Sequence, residues 1–341
     1  MAGTGAGSSS LHEGRVGRTE VRAVGACAGG GAVVALGVVG WERTATNLRE
    51  DLGEPAVVLA LAEAVCPSLN GAASFRLAAF LEAVDAGGDQ GEFAATAEAL
   101  AGVEPARVEH WRRALEGLDA QLVTVLDDGY PANLRMIHDH PPFLFVRGTL
   151  RPTDDRAVAV VGTRRPSEEG VRSAMGIAAA LAGRGITVVS GLAEGIDTAA
   201  HAGALNAGGR TLAVFGTGIG RVYPASNRSL ARAIAESGAT VSQFWPDMAP
   251  SRWSFPARNI VTSGLGVGTV VVEAGPTSGA RQQADHALRH GKRLFLLRRL
   301  VEYQPWARDL MQRPGVVAIE DVEDVVGVVE AELDLHADVV V

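Results

Sequence analysis

The sequence predicts an α/β protein in which a doubly wound, mostly parallel sheet follows a small N-terminal helical domain. Three observations predict it. From Ala157 onward, short apolar runs alternate with helical stretches of ten or more residues, the pattern of consecutive βαβ units. Forty-two glycines stand against only 5% aromatic residues, a balance that suits tight turns and small-residue packing. With 47% hydrophobic and 21% charged residues among 341, the chain can bury a sizeable core spread over two or three domains.

Residues 1–48 are set apart as a disordered extension. Ala23–Trp41 is uncharged and follows Arg15, Arg18 and Arg22, the outline of a signal peptide or membrane anchor. Six of its nineteen residues are glycine and one is leucine, so it is too weakly apolar for a membrane partner to be expected. Cys27 and Cys66 are the two cysteines. They make neither a disulfide framework nor a zinc site on their own and point to a reducing cytoplasm.

Residues 49–118 read as the small helical domain. Ala56–Val65 is apolar, Phe75–Val84 amphipathic, and Pro105 takes the first helical position before Ala106–Leu118. The main domain covers 119–325. It opens with a strand at Leu122–Leu126, turn residues Asp127-Asp128-Gly129-Tyr130-Pro131 and a second apolar run, Phe143–Val146. Ala157–Val161 is continuously apolar, as a parallel strand covered on both faces requires. Helices at Val171–Gly183, Thr198–Ala207, Arg228–Ser237 and Arg281–His290 then alternate with strands at Ile186–Ser190, Thr211–Phe215, Thr240–Phe244, Val267–Glu273 and Arg293–Leu297. Residues 326–341 are an acidic C-terminal segment.

The formal charge of −8, from 39 acids and 31 bases, argues at first against nucleic acid. Its distribution reverses that reading. From Glu320 onward there are eight acids and no lysine or arginine, so residues 1–319 carry no net charge. Arg252–Arg299 holds eight bases against two acids, Glu273 and Asp285.

Ligands of doubly wound sheets bind beyond the carboxyl ends of the strands, so the segments following each strand hold the candidate site. After the first comes Gly162-Thr163-Arg164-Arg165-Pro166-Ser167, a turn into a helix N-terminus, where free N–H groups favour anions. Arg164 offers a bidentate phosphate contact there, while Ser167 as N-cap with Glu168 and Glu169 also describes an ordinary βα turn. After the second comes Ser190-Gly191-Leu192-Ala193-Glu194-Gly195-Ile196-Asp197 through His201, a loop able to cradle phosphate or sugar. Asp197 and His201 are one helical turn apart and able to pair. Gly216-Thr217-Gly218-Ile219-Gly220 approaches a dinucleotide fingerprint but has Arg221 where the third glycine belongs. Tyr223 stands in the following turn. No nucleophile–base pair and no metal-ligand spacing is found among the eight scattered histidines, so neither catalysis nor a metal or other cofactor is expected.

Taken in order, these pieces resemble the DprA/Smf family of DNA-processing proteins. The residues carrying the resemblance are Tyr130-Pro131, Pro142–Gly148, Gly162-Thr163-Arg164, Ser190–Asp197 with His201, Tyr223-Pro224, Phe255-Pro256-Ala257-Arg258-Asn259, Val272-Glu273-Ala274 and Ser278-Gly279. They fall within about residues 120–325. The resemblance implies an extended Rossmann-like fold, a homodimer, and binding of single-stranded DNA with loading of a RecA-type recombinase during transformation. Carried over by position, Arg164, Arg210, Arg258 and Asn259 hold DNA phosphate, and Gly162, Thr163, Ser190, Gly191, Gly195, Asp197, His201, Gly216, Tyr223, Phe255, Ser278 and Gly279 complete the DNA and phosphate site. Aromatic residues beside a basic groove are the usual single-strand platform.

The sequence departs from the family pattern at Thr163 (usually serine), Gln243 (usually glutamate), Ile260 (usually arginine) and Ala280–Ala284, which includes Gln282 and Gln283. Arg298-Arg299 replaces a Pro-Gly loop, and a C-terminal winged helix is not expected. The competing reading is a nucleotide sensor or nucleoside-monophosphate-cleaving enzyme on the related lysine-decarboxylase-like scaffold. Against it, Gln282-Gln283 stands where such an enzyme needs a carboxylate as general base.

Overall fold

The computed structural model describes residues 52–66, 71–86, 99–100, 102–320 and 322–337. The extension expected at 1–48, with Cys27, lies outside the described residues. The N-terminal part carries helices α1 (Pro55–Val65), α2 (Gly71–Asp85) and α3 (Pro105–Glu116). Proline opens α1 and α3, where its missing N–H would have no helical partner anyway. Next come β1 (Gln121–Thr124), α4 (Ala132–Arg135), β2 (Phe143–Gly148), β3 (Ala157–Val161), α5 (Glu168–Gly183) and β4 (Thr187–Ser190). They are followed by α6 (Ile196–Asn206), β5 (Thr211–Val214), α7 (Arg228–Ser237) and β6 (Ala239–Ser242). The second half consists of α8 (Ser254–Leu265), β7 (Gly268–Val271), α9 (Gly279–Arg289), β8 (Arg293–Leu297), α10 (Arg298–Tyr303), α11 (Pro305–Leu310), β9 (Val316–Ile319) and α12 (Val322–Ala337).

The strands form one sheet in the order β1-β2-β6-β5-β4-β3-β7-β8-β9. From β6 to β9 in that order every pairing is parallel, while β1 and β2 add an antiparallel edge. This is the expected α/β, Rossmann-like architecture. The chain lays β4, β5 and β6 on one side of β3, then returns to place β7 on the other. The reversal opens a crevice beyond the carboxyl ends of β3 and β7, the switch point at which such sheets take their ligands.

All five residues of β3 are buried, so its uninterrupted apolar run reflects burial on both faces. One apolar cluster joins α1, α2 and Trp111 of α3 to β1, β2 and β6, with Trp111 stacked on Trp245 at 4.9 Å. The opposite face is covered by α5, α6 and α12. Val325, Val326 and Val329 of α12 are buried, while Glu323 and Glu330 reach out to Arg184. Acid on one face and valine on the other explain why this negatively charged stretch folds as a helix. Among the described residues no helix is long and apolar enough to cross a membrane.

Two differences from the expectation bear on the site. No helix is predicted between Phe244 and Val267, yet α8 fills that interval. Ser254, Arg258, Asn259, Thr262 and Ser263 on it are all buried, so it lacks the apolar stripe by which amphipathic helices are recognised. Phe215, Phe244 and Val272 read as strand ends but lie past the last ladder pairs. They are apolar because they are buried in the loops above the sheet.

Candidate functional site

The β3–α5 turn, the β4–α6 loop and the N-terminal ends of α8 and α9 converge on the switch point around a cavity of about 450 Å³. Gly162, Thr163, Arg164, Gly191, Asp197, Phe255, Arg258, Asn259, Ser278 and Gly279 line it, together with Arg165, Gln282 and Gln283. Ser278 caps α9, its hydroxyl accepting from the Arg281 N–H, which fixes where that helix enters the cavity wall.

Arg258 lies at the centre and is only 7% exposed. Its Nη1 donates to the Val214 carbonyl at 3.1 Å and its Nε to Asn259 Oδ1 at 3.2 Å. Gly191 makes this position possible: a Cβ there would fall 1.5 Å from Arg258 Nη1. The guanidinium occupies the space a side chain would need. Beneath it, the Asp197 carboxylate accepts from the Gly191 N–H at 3.1 Å. Burial pushes the Asp197 carboxyl above its ordinary value, against the opposing pull of Arg258 and backbone donors. Burial also lowers the Arg258 guanidinium, opposed by Asp197 and reinforced by Arg164, yet so strong a base stays cationic.

At the mouth, the exposed Arg164 guanidinium lies 5.2 Å over the Phe255 ring. Tyr223 is 47% exposed, with its ring 5.7 Å from that of Phe255. A cation, a sheltered ring and a free ring thus form one rim. Gly216 lies under the Phe255 ring, where a Cβ would meet Phe255 Cδ1 at 2.6 Å, so this glycine seats the platform. Gln283 on α9 is 2% exposed, and neither of its amide atoms has a hydrogen-bond partner. Unpaired buried amides are costly, and one lining a cavity suits a ligand that both donates and accepts.

Several expected site residues lie elsewhere. Ser190 is fully buried, its hydroxyl donating to the Val160 carbonyl at 2.7 Å. Gly195 sits at the start of α6 without lining the cavity. Arg210 precedes β5, at the amino end of the parallel sheet, and grips Asp154 with Nε at 2.5 Å and Nη2 at 2.7 Å. The anion site expected at the N-terminus of α5 is filled by the protein itself: the Glu273 carboxylate accepts from Ser167 N at 3.1 Å and Ser167 Oγ at 2.8 Å. Ile260 packs against the main core.

Asp197 and His201 do not pair. His201 Nδ1 lies 2.8 Å from Thr211 Oγ1, whose own proton goes to the Val188 carbonyl, so Nδ1 carries the imidazole hydrogen. The other nitrogen is buried without a partner. Burial, with Arg258 adding to it, pushes the imidazole down to about 3. The unfolded chain takes up a proton near 6.5 that the folded protein refuses until about 3, so stability falls as pH drops through that window. The slope reaches on the order of 1 kcal/mol per pH unit. Melting midpoints at pH 7 and pH 5 should therefore differ less in His201→Gln than in the wild type. An unchanged difference would remove His201 as the source.

A family model described as DNA recombination-mediator protein A matches residues 121–328. The chain belongs to this family. It is 40% identical over 174 residues to DNA processing protein DprA of Streptococcus pneumoniae, covering 51% of this chain and 61% of that one. It is 40% identical over 184 residues to protein Smf of Escherichia coli, covering 54% and 49%. The matches thus span about half to three fifths of these relatives' lengths. The X-ray structure of the S. pneumoniae DprA superposes with a TM-score of 0.60 at 30% identity, covering 83% of this chain and 97% of that one. DNA processing protein A from Helicobacter pylori, described for its unique single-stranded DNA binding mode, gives 0.56 at 26% identity, covering 62% and 97%.

Proposed function

We propose that this chain binds single-stranded DNA at the switch-point cavity and acts as a recombination mediator. In this reading it protects an incoming strand and helps load a RecA-type recombinase, working as a homodimer without catalysis of its own and without a cofactor at the DNA site. The family supports the setting, and the arrangement of Arg164, Phe255 and Tyr223 around buried Arg258 carries the chemistry. Arg164 offers phosphate a forked cation. The free face of Tyr223 offers a base a stacking surface indifferent to sequence. Gln283, an unpaired donor and acceptor inside the cavity, suits a base edge.

A second, wider groove of about 780 Å³ begins at the same Tyr223 and is lined by Arg147, Arg221, Arg228 and Arg232, with Asp119 and Glu236 among its acids. It gives a strand leaving the rim a basic path. Several phosphate contacts release several counterions, so affinity for labelled oligo-dT should fall steeply with salt. Arg164→Ala should weaken binding by about 10-fold at low salt for every sequence and reduce the logarithmic salt slope by about 1. A sequence-selective loss, or binding indifferent to salt, would overturn the reading.

A further inference from the structure

The helices α8 and α9 both begin at the cavity, and a second cluster of ionisable groups lies at their far ends. His290, directly after α9, has a side chain with no solvent exposure. Its Nε2 is 2.8 Å from Asp139 Oδ1 and its Nδ1 is 3.0 Å from Ser263 Oγ of α8. Asp139 belongs to the turn between α4 and β2. His138, beside it, brings Nε2 to 3.9 Å from Asp139 Oδ2 and is 63% exposed. One ligand atom from each of the three residues lies within 4.8 Å of the others.

We propose that His138, Asp139 and His290 form a binding site for a divalent transition metal of the zinc class. Two imidazole nitrogens are borderline donors and, beside one carboxylate, favour zinc over calcium or magnesium, which take oxygen ligands. Ligand bonds of 2.0–2.1 Å in tetrahedral geometry place neighbouring ligand atoms about 3.3 Å apart. His290 Nε2 lies 2.8 Å from one oxygen of Asp139 and His138 Nε2 3.9 Å from the other, so the exposed His138 ring has to turn toward the oxygen that the metal would share.

Ser263 strengthens the assignment. Without metal, Nε2–H of His290 donates to Asp139 Oδ1 and Nδ1 faces the Ser263 hydroxyl. A bound metal would take the place of the Nε2 hydrogen, with Ser263 Oγ then placed to accept from Nδ1–H. Such an outer hydrogen bond fixes the tautomer and orientation of metal-ligating histidines. His286, one turn before His290, is engaged by Arg289 at 2.9 Å, so the fourth position falls to water. The metal would tie the turn before β2 to the ends of α8 and α9. His290 is 151 residues from Asp139, which is why no metal-binding spacing shows in the sequence.

The test uses the full, untagged chain, stripped with chelator and titrated with zinc chloride or cobalt chloride. The expected result is one equivalent bound, four-coordinate visible bands with cobalt, and a melting midpoint that rises with zinc concentration by mass action. His138→Ala, at an exposed position, should leave the metal-free melting point unchanged and weaken zinc binding by about 10-fold or more. Asp139→Asn should weaken it likewise, and Ser263→Ala by about 10- to 100-fold. Absence of saturable binding, or equal affinity in wild type, His138→Ala and Asp139→Asn, overturns the proposal. So does magnesium or calcium binding as tightly as zinc.

Discussion

Arg258→Ala is expected to lose single-stranded DNA affinity by about 10- to 100-fold, the worth of charge-assisted hydrogen bonds at about 1.5–3 kcal/mol, and to lose stability as well. The stability loss arises because Arg258 is the cation beside a fully buried Asp197. Removing one member of a buried charged pair costs about 3–5 kcal/mol. The cost here should fall below that range, because Arg258 spends its hydrogen bonds on the Val214 carbonyl and Asn259 rather than on Asp197. The Asp197 carboxyl, already raised by burial, also rises further once the arginine's opposing attraction is gone. That fixes the sign of a pH dependence. A carboxyl whose folded pKa is raised stabilises fully below its unfolded value of 3.8, and that contribution is lost as pH rises through the folded value. The deficit of Arg258→Ala should therefore grow between pH 4 and pH 7.

A second substitution separates binding from folding. Asp197→Asn in the Arg258→Ala background removes the stranded charge and keeps an oxygen to accept from the Gly191 N–H. The double variant should regain much of the lost stability and none of the lost DNA affinity, with coupling read from the full cycle. Recovery of both would mean that Arg258 acts on DNA only by keeping the cavity folded. Recovery of neither would mean that the two side chains are not coupled.

The parts of this site legible in the sequence are those that depend on local chain geometry. A continuous apolar run such as Ala157–Val161 signals a strand buried on both faces, and the residues following it must then lie at the carboxyl edge. Gly162, Arg164, Gly191 and Asp197 are legible in this way, and the cavity brings them together. The parts that depend on a distant partner were not legible. The α5 N-terminus looks open until Glu273, 106 positions downstream from Ser167, is placed against it. Asp197 and His201 stand at helical spacing, yet the backbone of the β4–α6 loop claims one and Thr211 the other. The buried polar helix α8 has no periodic signature, although it supplies Phe255, Arg258 and Asn259. Gln283 marks itself in the sequence only as a departure from the family pattern; its burial without partners is visible only in three dimensions.

Arg210 gives the sharpest test of that distinction. Position in the family pattern assigns it to phosphate, and its surroundings assign it to the fold. Asp154 is 6% exposed and accepts from Arg210 twice, from the Arg151 N–H at 2.8 Å and from the Thr187 hydroxyl at 3.1 Å. Arg210 also donates to the carbonyls of Thr149 and Ser237. Arg210 and Asp154 together thus tie the segment before β3 to the starts of β4, β5 and β6. Arg210→Ala should cost about 2–4 kcal/mol in urea unfolding, somewhat below a fully buried pair because the Arg210 side chain keeps 14% exposure. Arg210→Lys should restore only part of this, since an ammonium cannot reproduce the fork. Neither variant should change the salt slope of oligo-dT binding measured well below its melting temperature, because no counterion is released from a guanidinium already neutralised by Asp154. A slope reduced by about 1 with stability intact would return Arg210 to the phosphate path and require a DNA track reaching the amino edge of the sheet.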